Sequence, residues 1–147
     1  MMTKWGFDER QMQIAGKVYI RGFMIAVILL FINGLLQSYH LVWASGFHQN
    51  VIMAVMIHTI VSFDAILRGV YFPNDNKTRW VTIGTFGVLS LVLWIITILR
   101  GSQGALIFEL NTLTSCGFSL VLAIMFTITT SVGIIVELKE KRRDNEK

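Results

Sequence analysis

GFMIAVILLFINGLLQSYHLVW, residues Gly22 to Trp43, is an apolar stretch whose strongly polar positions are few, chiefly Asn33, Gln37 and Ser38. As a helix rising about 1.5 Å per residue it reaches ~33 Å, enough to cross a hydrocarbon core of ~30 Å. Three further runs have similar length and composition: residues 51–72, 80–99 and 113–136. In lipid every backbone N–H and C=O must be satisfied within its own segment or by a closed barrel. Continuous apolar runs of this length therefore predict helices, and the expected fold is an all-α four-helix transmembrane bundle forming a single integral membrane domain over residues 1–147. The whole chain agrees: of 147 residues, 54% are apolar and 15% charged, a balance far from that of soluble domains.

The connections are read from turn-forming residues. Ala44 to Asn50, with Ser45, Gly46, His48 and Gln49, reads as a short turn between the first two spans, and Gly101-Ser102-Gln103-Gly104 as the turn after the third. Pro73 is the single proline, set in Pro73-Asn74-Asp75-Asn76-Lys77, and is expected to stop the second helix. Trp80 and Arg100 flank the third span as interfacial residues do. The beginning of the fourth run is polar, with Glu109, Asn111, Thr112, Thr114 and Ser115, and the tail from Glu137 to Lys147 carries mixed charge.

Charge gives the orientation. With four spans, the N-terminal segment, the Pro73 loop and the C-terminal tail share one side. Of the thirteen Lys and Arg residues, Arg100 alone falls on the other. That asymmetry predicts a cell-membrane protein with both termini cytoplasmic. The net charge of +4 is thus explained by flanks of spans; no basic patch with interleaved aromatics exists to suggest nucleic acid. The first apolar run begins only after some twenty residues, is long enough to span and has no small-residue cleavage site, so it is expected to remain a helix.

Asp8-Glu9-Arg10-Gln11 opens with a residue suited to cap a helix, followed by acid in the first turn. Phe7, Gln11, Met12, Ile14, Ala15, Val18 and Tyr19 then recur at helical spacing, with Arg10, Gln13, Lys17 and Arg21 elsewhere on the wheel. An amphipathic helical extension running into the first span is expected. It is either an anchor on the lipid surface or a docking surface for a cytoplasmic partner through Asp8, Glu9 and Arg10.

Within the spans the costly residue is Asp64, since an ionised side chain at the centre of a membrane helix costs about 2.5–3.5 kcal/mol. Arg68, four residues on, can pair with it on the same helical face. Asp64, Arg68 and His58 form a candidate intramembrane polar site. It reads either as a structural pair that fixes packing or as a proton or cation site. His58, six residues before Asp64, lies about 120° away around an ideal helix. The hydroxyls of the fourth span, Thr114, Ser115, Ser119, Thr127, Thr129, Thr130 and Ser131, read as a pore lining or as packing residues.

Ala65 with Gly69, and Gly84 with Gly87, would allow close helix contacts within the bundle or between copies. His40, His48 and Glu109 lack paired ligand spacing, so no metal is expected, and Cys116, alone among apolar neighbours, reads as a packing residue. No phosphate loop, nucleophile elbow or paired carboxylates appear, so neither cofactor nor catalysis is expected.

Asp8-Glu9-Arg10-Gln11, Gly16-Lys17-Val18-Tyr19 and Ala65-Ile66-Leu67-Arg68-Gly69-Val70-Tyr71-Phe72 resemble segments of a family of uncharacterised small membrane proteins of Gram-positive bacteria. These carry an N-terminal Asp-Glu-Arg motif, and their genes often lie beside helix-turn-helix regulators. The resemblance covers roughly the first half of the chain. It implies a four-helix membrane protein with a regulatory or accessory role. The small multidrug transporters also have four spans, but they carry a glutamate in the first, where this chain has no acid. The expected function is therefore a non-enzymatic accessory or regulatory membrane protein that contacts a cytoplasmic or membrane protein partner. The alternative is a small homo-oligomeric transporter or channel using Asp64.

Overall fold

A computed structural model describes residues 8–71, 76–110 and 112–145. The chain is an all-α bundle of four helices, α1 (Glu9–Ser38), α2 (Gly46–Leu67), α3 (Asn76–Ser102) and α4 (Ser115–Asn145), with two short strands, β1 (Phe108–Glu109) and β2 (Thr112–Leu113), before α4. All four helices are long and apolar enough to cross a membrane. The amphipathic extension and the first span are one continuous helix, α1. Pro73 lies outside the described residues.

The helix ends follow from local chemistry and differ from the sequence expectation. Asp8 caps α1 by accepting from the Gln11 N–H at 2.6 Å, while the Gln11 side chain accepts from the Asp8 N–H at 3.1 Å. This reciprocal box satisfies two donors that a helix start leaves open. Helix α2 is already complete at Leu67, ahead of Pro73. There Gly69 turns left-handed (φ 67), its N–H bonding Ile66 O and that of Val70 bonding Ala65 O, both at 3.0 Å. This pair of bonds is the Schellman stop, and the accompanying apolar contact is present between Val70 and Ala65. Gly104 (φ 82) ends α3 in the same way, through Ala105 N–H to Arg100 O.

Helix α1 uses this stop too, but with histidine in the left-handed position: His40 has φ 58, and the Leu41 N–H bonds Leu36 O at 2.9 Å. The first span therefore ends at Ser38, and Leu41-Val42-Trp43 is not helical although it is apolar. A Cβ in this conformation is unfavourable by about 1–2 kcal/mol. His40→Gly is accordingly expected to raise the unfolding free energy by about 0.5–1 kcal/mol, measured as a shifted midpoint in detergent unfolding of the purified protein. An unchanged or lowered midpoint would show that the imidazole makes a compensating contact.

The Ala44–Asn50 turn is shorter than expected. Ser45 caps α2, its hydroxyl accepting from the His48 N–H at 3.4 Å, and Gln49 is already a buried helical residue. Leu113, expected at the start of the fourth span, instead belongs to a two-residue hairpin in which Phe108 pairs with Leu113 and Glu109 with Thr112. The Leu113 N–H also bonds Trp43 O at 2.8 Å. These bonds occupy backbone groups on both irregular segments, so the loops at this end are tied to each other. Ala44, Ile52, Leu113 and Leu122 form the core beneath them.

The helices pack in the spatial order α1, α2, α4, α3, with the extensive contacts between consecutive members of that row. Burial follows: the apolar windows of α2 and α4 are each 28% buried, those of α1 and α3 only 17% and 11%. The close approaches occur where a side chain is missing. A Cβ on Gly22 would overlap Val61 Cγ2, and one on Gly117 would overlap the Ile107 carbonyl and the Leu113 side chain. Gly84, by contrast, has nothing nearby, and Gly87 faces only Thr130 at an ordinary 3.5 Å.

Candidate functional site

Four groups of polar side chains stand out against the apolar background, two at the end carrying the termini, one along the α3–α4 interface and one at the hairpin end. The first centres on Asp64. One carboxylate oxygen accepts from Arg68 Nε at 2.6 Å, as the four-residue spacing predicts, and the other meets Arg21 Nη2 at 3.1 Å. Arg21 comes from α1, so the site joins two helices through three residues rather than two within one helix. Arg21 Nε also donates to Lys17 O at 3.3 Å. The arginine side chains are about half exposed, 48% for Arg21 and 45% for Arg68. Solvent screening therefore holds each ion pair to about 0–1 kcal/mol.

His58 does not join this cluster. It shares a 3.3 Å hydrogen bond with Ser62, one turn further along α2, and its ring lies 5.7 Å from that of Phe86 on α3. Ser62 in turn bonds Tyr71 beyond the end of α2.

The second group at this end joins residues that sequence alone does not pair. Arg79 Nη1 on α3 donates to Glu137 Oε2 on α4 at 2.7 Å, with the side chains only 16% and 9% exposed. Both residues fall at span boundaries, where sequence reads charge as flanking, and fifty-eight positions separate them. An antiparallel pairing of the third and fourth spans would have placed them at one level.

The N-terminal contact residues are accounted for in part by local structure. Asp8 is the cap of α1, and Gln11 Nε2 reaches Gly69 O at 3.4 Å, while Glu9 and Arg10 are exposed. The apolar face of the extension is covered in part: Val18, 1% exposed, packs with Ala65 and Val70, flanked by Ile14 and Ala15. Tyr19 and Met12 point outward.

The third group is a hydroxyl seam. Ser90 and Thr127 hydroxyls lie 2.7 Å apart, Trp94 Nε1 donates to Thr127 Oγ1 at 3.1 Å, and Thr97 Oγ1 donates to Ser119 Oγ at 3.0 Å. Thr127, Thr129 and Thr130 also donate to carbonyls one turn back in α4. Interhelical bonds of this kind are worth about 0.6 kcal/mol each in membrane proteins. The polar residues of the first span behave alike: Asn33 Oδ1 accepts from Trp43 Nε1 at 3.1 Å, and Gln37 Nε2 donates to Gln49 Oε1 at 3.0 Å.

At the hairpin end lie two open grooves, an apolar one of about 600 Å³ walled by Leu36, Leu41, Val42, Trp43 and Leu110, and a more polar one of about 490 Å³ that includes His48 and Glu109. His40 lines only the first of these, His48 and Glu109 the second, so the three do not converge. Among the described residues no three histidine, cysteine or acidic side chains are placed to hold a metal ion. Cys116 is buried, its Sγ 3.9 Å from Thr97 O.

No known family model, curated protein or solved structure matches the chain.

Proposed function

We propose that this protein is a non-enzymatic accessory or regulatory component of the cell membrane. In this reading its bundle is an anchor, and its charged end, with both termini cytoplasmic, carries the interaction with a partner. The observation that supports this most is how the polar groups inside the spans are used. Asn33 with Trp43, Gln37 with Gln49, His58 with Ser62, Ser90 with Thr127 and Thr97 with Ser119 engage each other in local pairs. A translocation path needs such groups to converge on a shared wet cavity. Here the two grooves described lie at the end of the molecule away from Asp64 and are not lined by it.

The charged surface for a partner is formed by Glu9 and Arg10 at the start of α1, together with Lys139, Lys141, Arg142 and Arg143 at the end of α4. The reading predicts that proteoliposomes containing the native protein under a pH gradient carry no more proton flux than protein-free liposomes. Flux from the native protein that disappears in Asp64→Asn would replace this reading with that of a small transporter.

A further inference from the structure

We propose that Arg21 and Arg68 form a clamp for the phosphate of an anionic phospholipid headgroup, with Asp64 as the group that positions both guanidiniums. Neutralising Asp64 requires one arginine, and Arg68 on the same helix already supplies it at 2.6 Å. Arg21 adds a second cation from another helix at 3.1 Å, so the cluster carries a surplus positive charge. Lys17, one turn before Arg21 on the same face of α1, raises that surplus. The C-terminal end of α2 contributes the equivalent of roughly half a negative charge, too little to cancel it.

The donors are available. A guanidinium has five N–H groups in a planar fork that matches phosphate oxygens. Arg21 commits Nε to Lys17 O and one Nη2 contact to Asp64, and Arg68 commits Nε to Asp64. The Nη1 of Arg21 and both terminal nitrogens of Arg68 have no partner among the described residues. Both side chains are half exposed, so an incoming phosphate need not displace packed atoms.

Depth identifies the source of the phosphate. Helix α2 rises ~33 Å over its span, and Arg68 is its C-terminal cap, which puts the clamp at headgroup level. Toward the bilayer centre, Met24 lies one turn from Arg21 and Ile60 one turn from Asp64, both with apolar surface open to lipid. A lipid can thus place its phosphate between the arginines and an acyl chain along these residues, a combination that free phosphate cannot reproduce. Basic pockets between membrane helices are recognised sites for anionic headgroups.

The test is native mass spectrometry of the full-length protein in neutral detergent, titrated with phosphatidylglycerol, phosphatidylcholine or inorganic phosphate. Phosphatidylglycerol is expected to bind about tenfold more tightly than phosphatidylcholine, and Arg21→Gln with Arg68→Gln to abolish that preference. Arg100→Gln, at the opposite end, should retain it. If the double glutamine variant does not fold, Arg21→Lys with Arg68→Lys is used, which keeps charge but loses the fork and should reduce the preference severalfold. The proposal is overturned by equal binding of the two lipids, by an undiminished preference in the folded variants of Arg21 and Arg68, or by inorganic phosphate competing as effectively as the lipid.

Discussion

Glu137→Ala is expected to lower the unfolding free energy by ~3 kcal/mol, the low end of the range for breaking a buried ion pair. The cost comes from Arg79, whose side chain is 16% exposed between α3 and α4, losing a carboxylate that helps to offset its desolvation. It would be measured by reversible detergent unfolding followed through tryptophan fluorescence. The same account makes a second, opposite statement. Replacing both residues by leucine removes the charge along with its partner and is expected to restore most of the lost stability, because apolar replacements of buried pairs are often neutral or better. A loss below ~1 kcal/mol in the single variant would mean that the pair is solvent-screened like a surface one.

Gly117→Ala should produce the other large effect, a loss of ~1–3 kcal/mol from overpacking. The added methyl overlaps the Ile107 carbonyl, which is backbone, and the side chain of Leu113, which is part of the core at that end. The chain accommodates it by lifting the hairpin off the start of α4. Cys116, the neighbour of Gly117 in α4, is buried and is the single cysteine in the sequence, so its labelling reads whether the start of α4 loosens. Its reaction with a maleimide is expected to be slow in the native protein and clearly faster in Gly117→Ala. Equal labelling rates with equal stability would show that the hairpin yields without cost.

These predictions rest on features of unequal legibility in the sequence. The number of helices could be read because hydropathy over twenty residues is an integral property, insensitive to any one position. The ends were harder. Leu41-Val42-Trp43 is apolar, yet leaves the helix because His40 turns left-handed and Trp43 supplies a carbonyl to Leu113; composition contains neither fact. Pro73 has the sequence signature of a helix stop, yet Gly69 four residues earlier already completes α2.

For polar residues the divide is between local and distant partners. Asp64 with Arg68 follows from helical spacing, whereas Arg21 and the Arg79–Glu137 pair depend on which helices are neighbours and at what level. Hydropathy assigns spans but not neighbours. The Asp8-Glu9-Arg10-Gln11 segment shows the converse: its first and last residues form a capping box visible in four letters, and only Gln11's contact with Gly69 needed the fold.

The spatial order α1, α2, α4, α3 also sets a schedule for biogenesis. As the chain leaves the ribosome, α1 and α2 can associate as soon as the second of them is inserted, since their contact needs nothing synthesised later. Helix α3 emerges next with most of its apolar surface unburied and its extensive contact still to be translated. Until α4 arrives it can meet the earlier pair only through slight contacts such as that of Phe86 with His58 on α2. The last helix made is thus the one that supplies the extensive contacts joining α3 to the rest of the bundle.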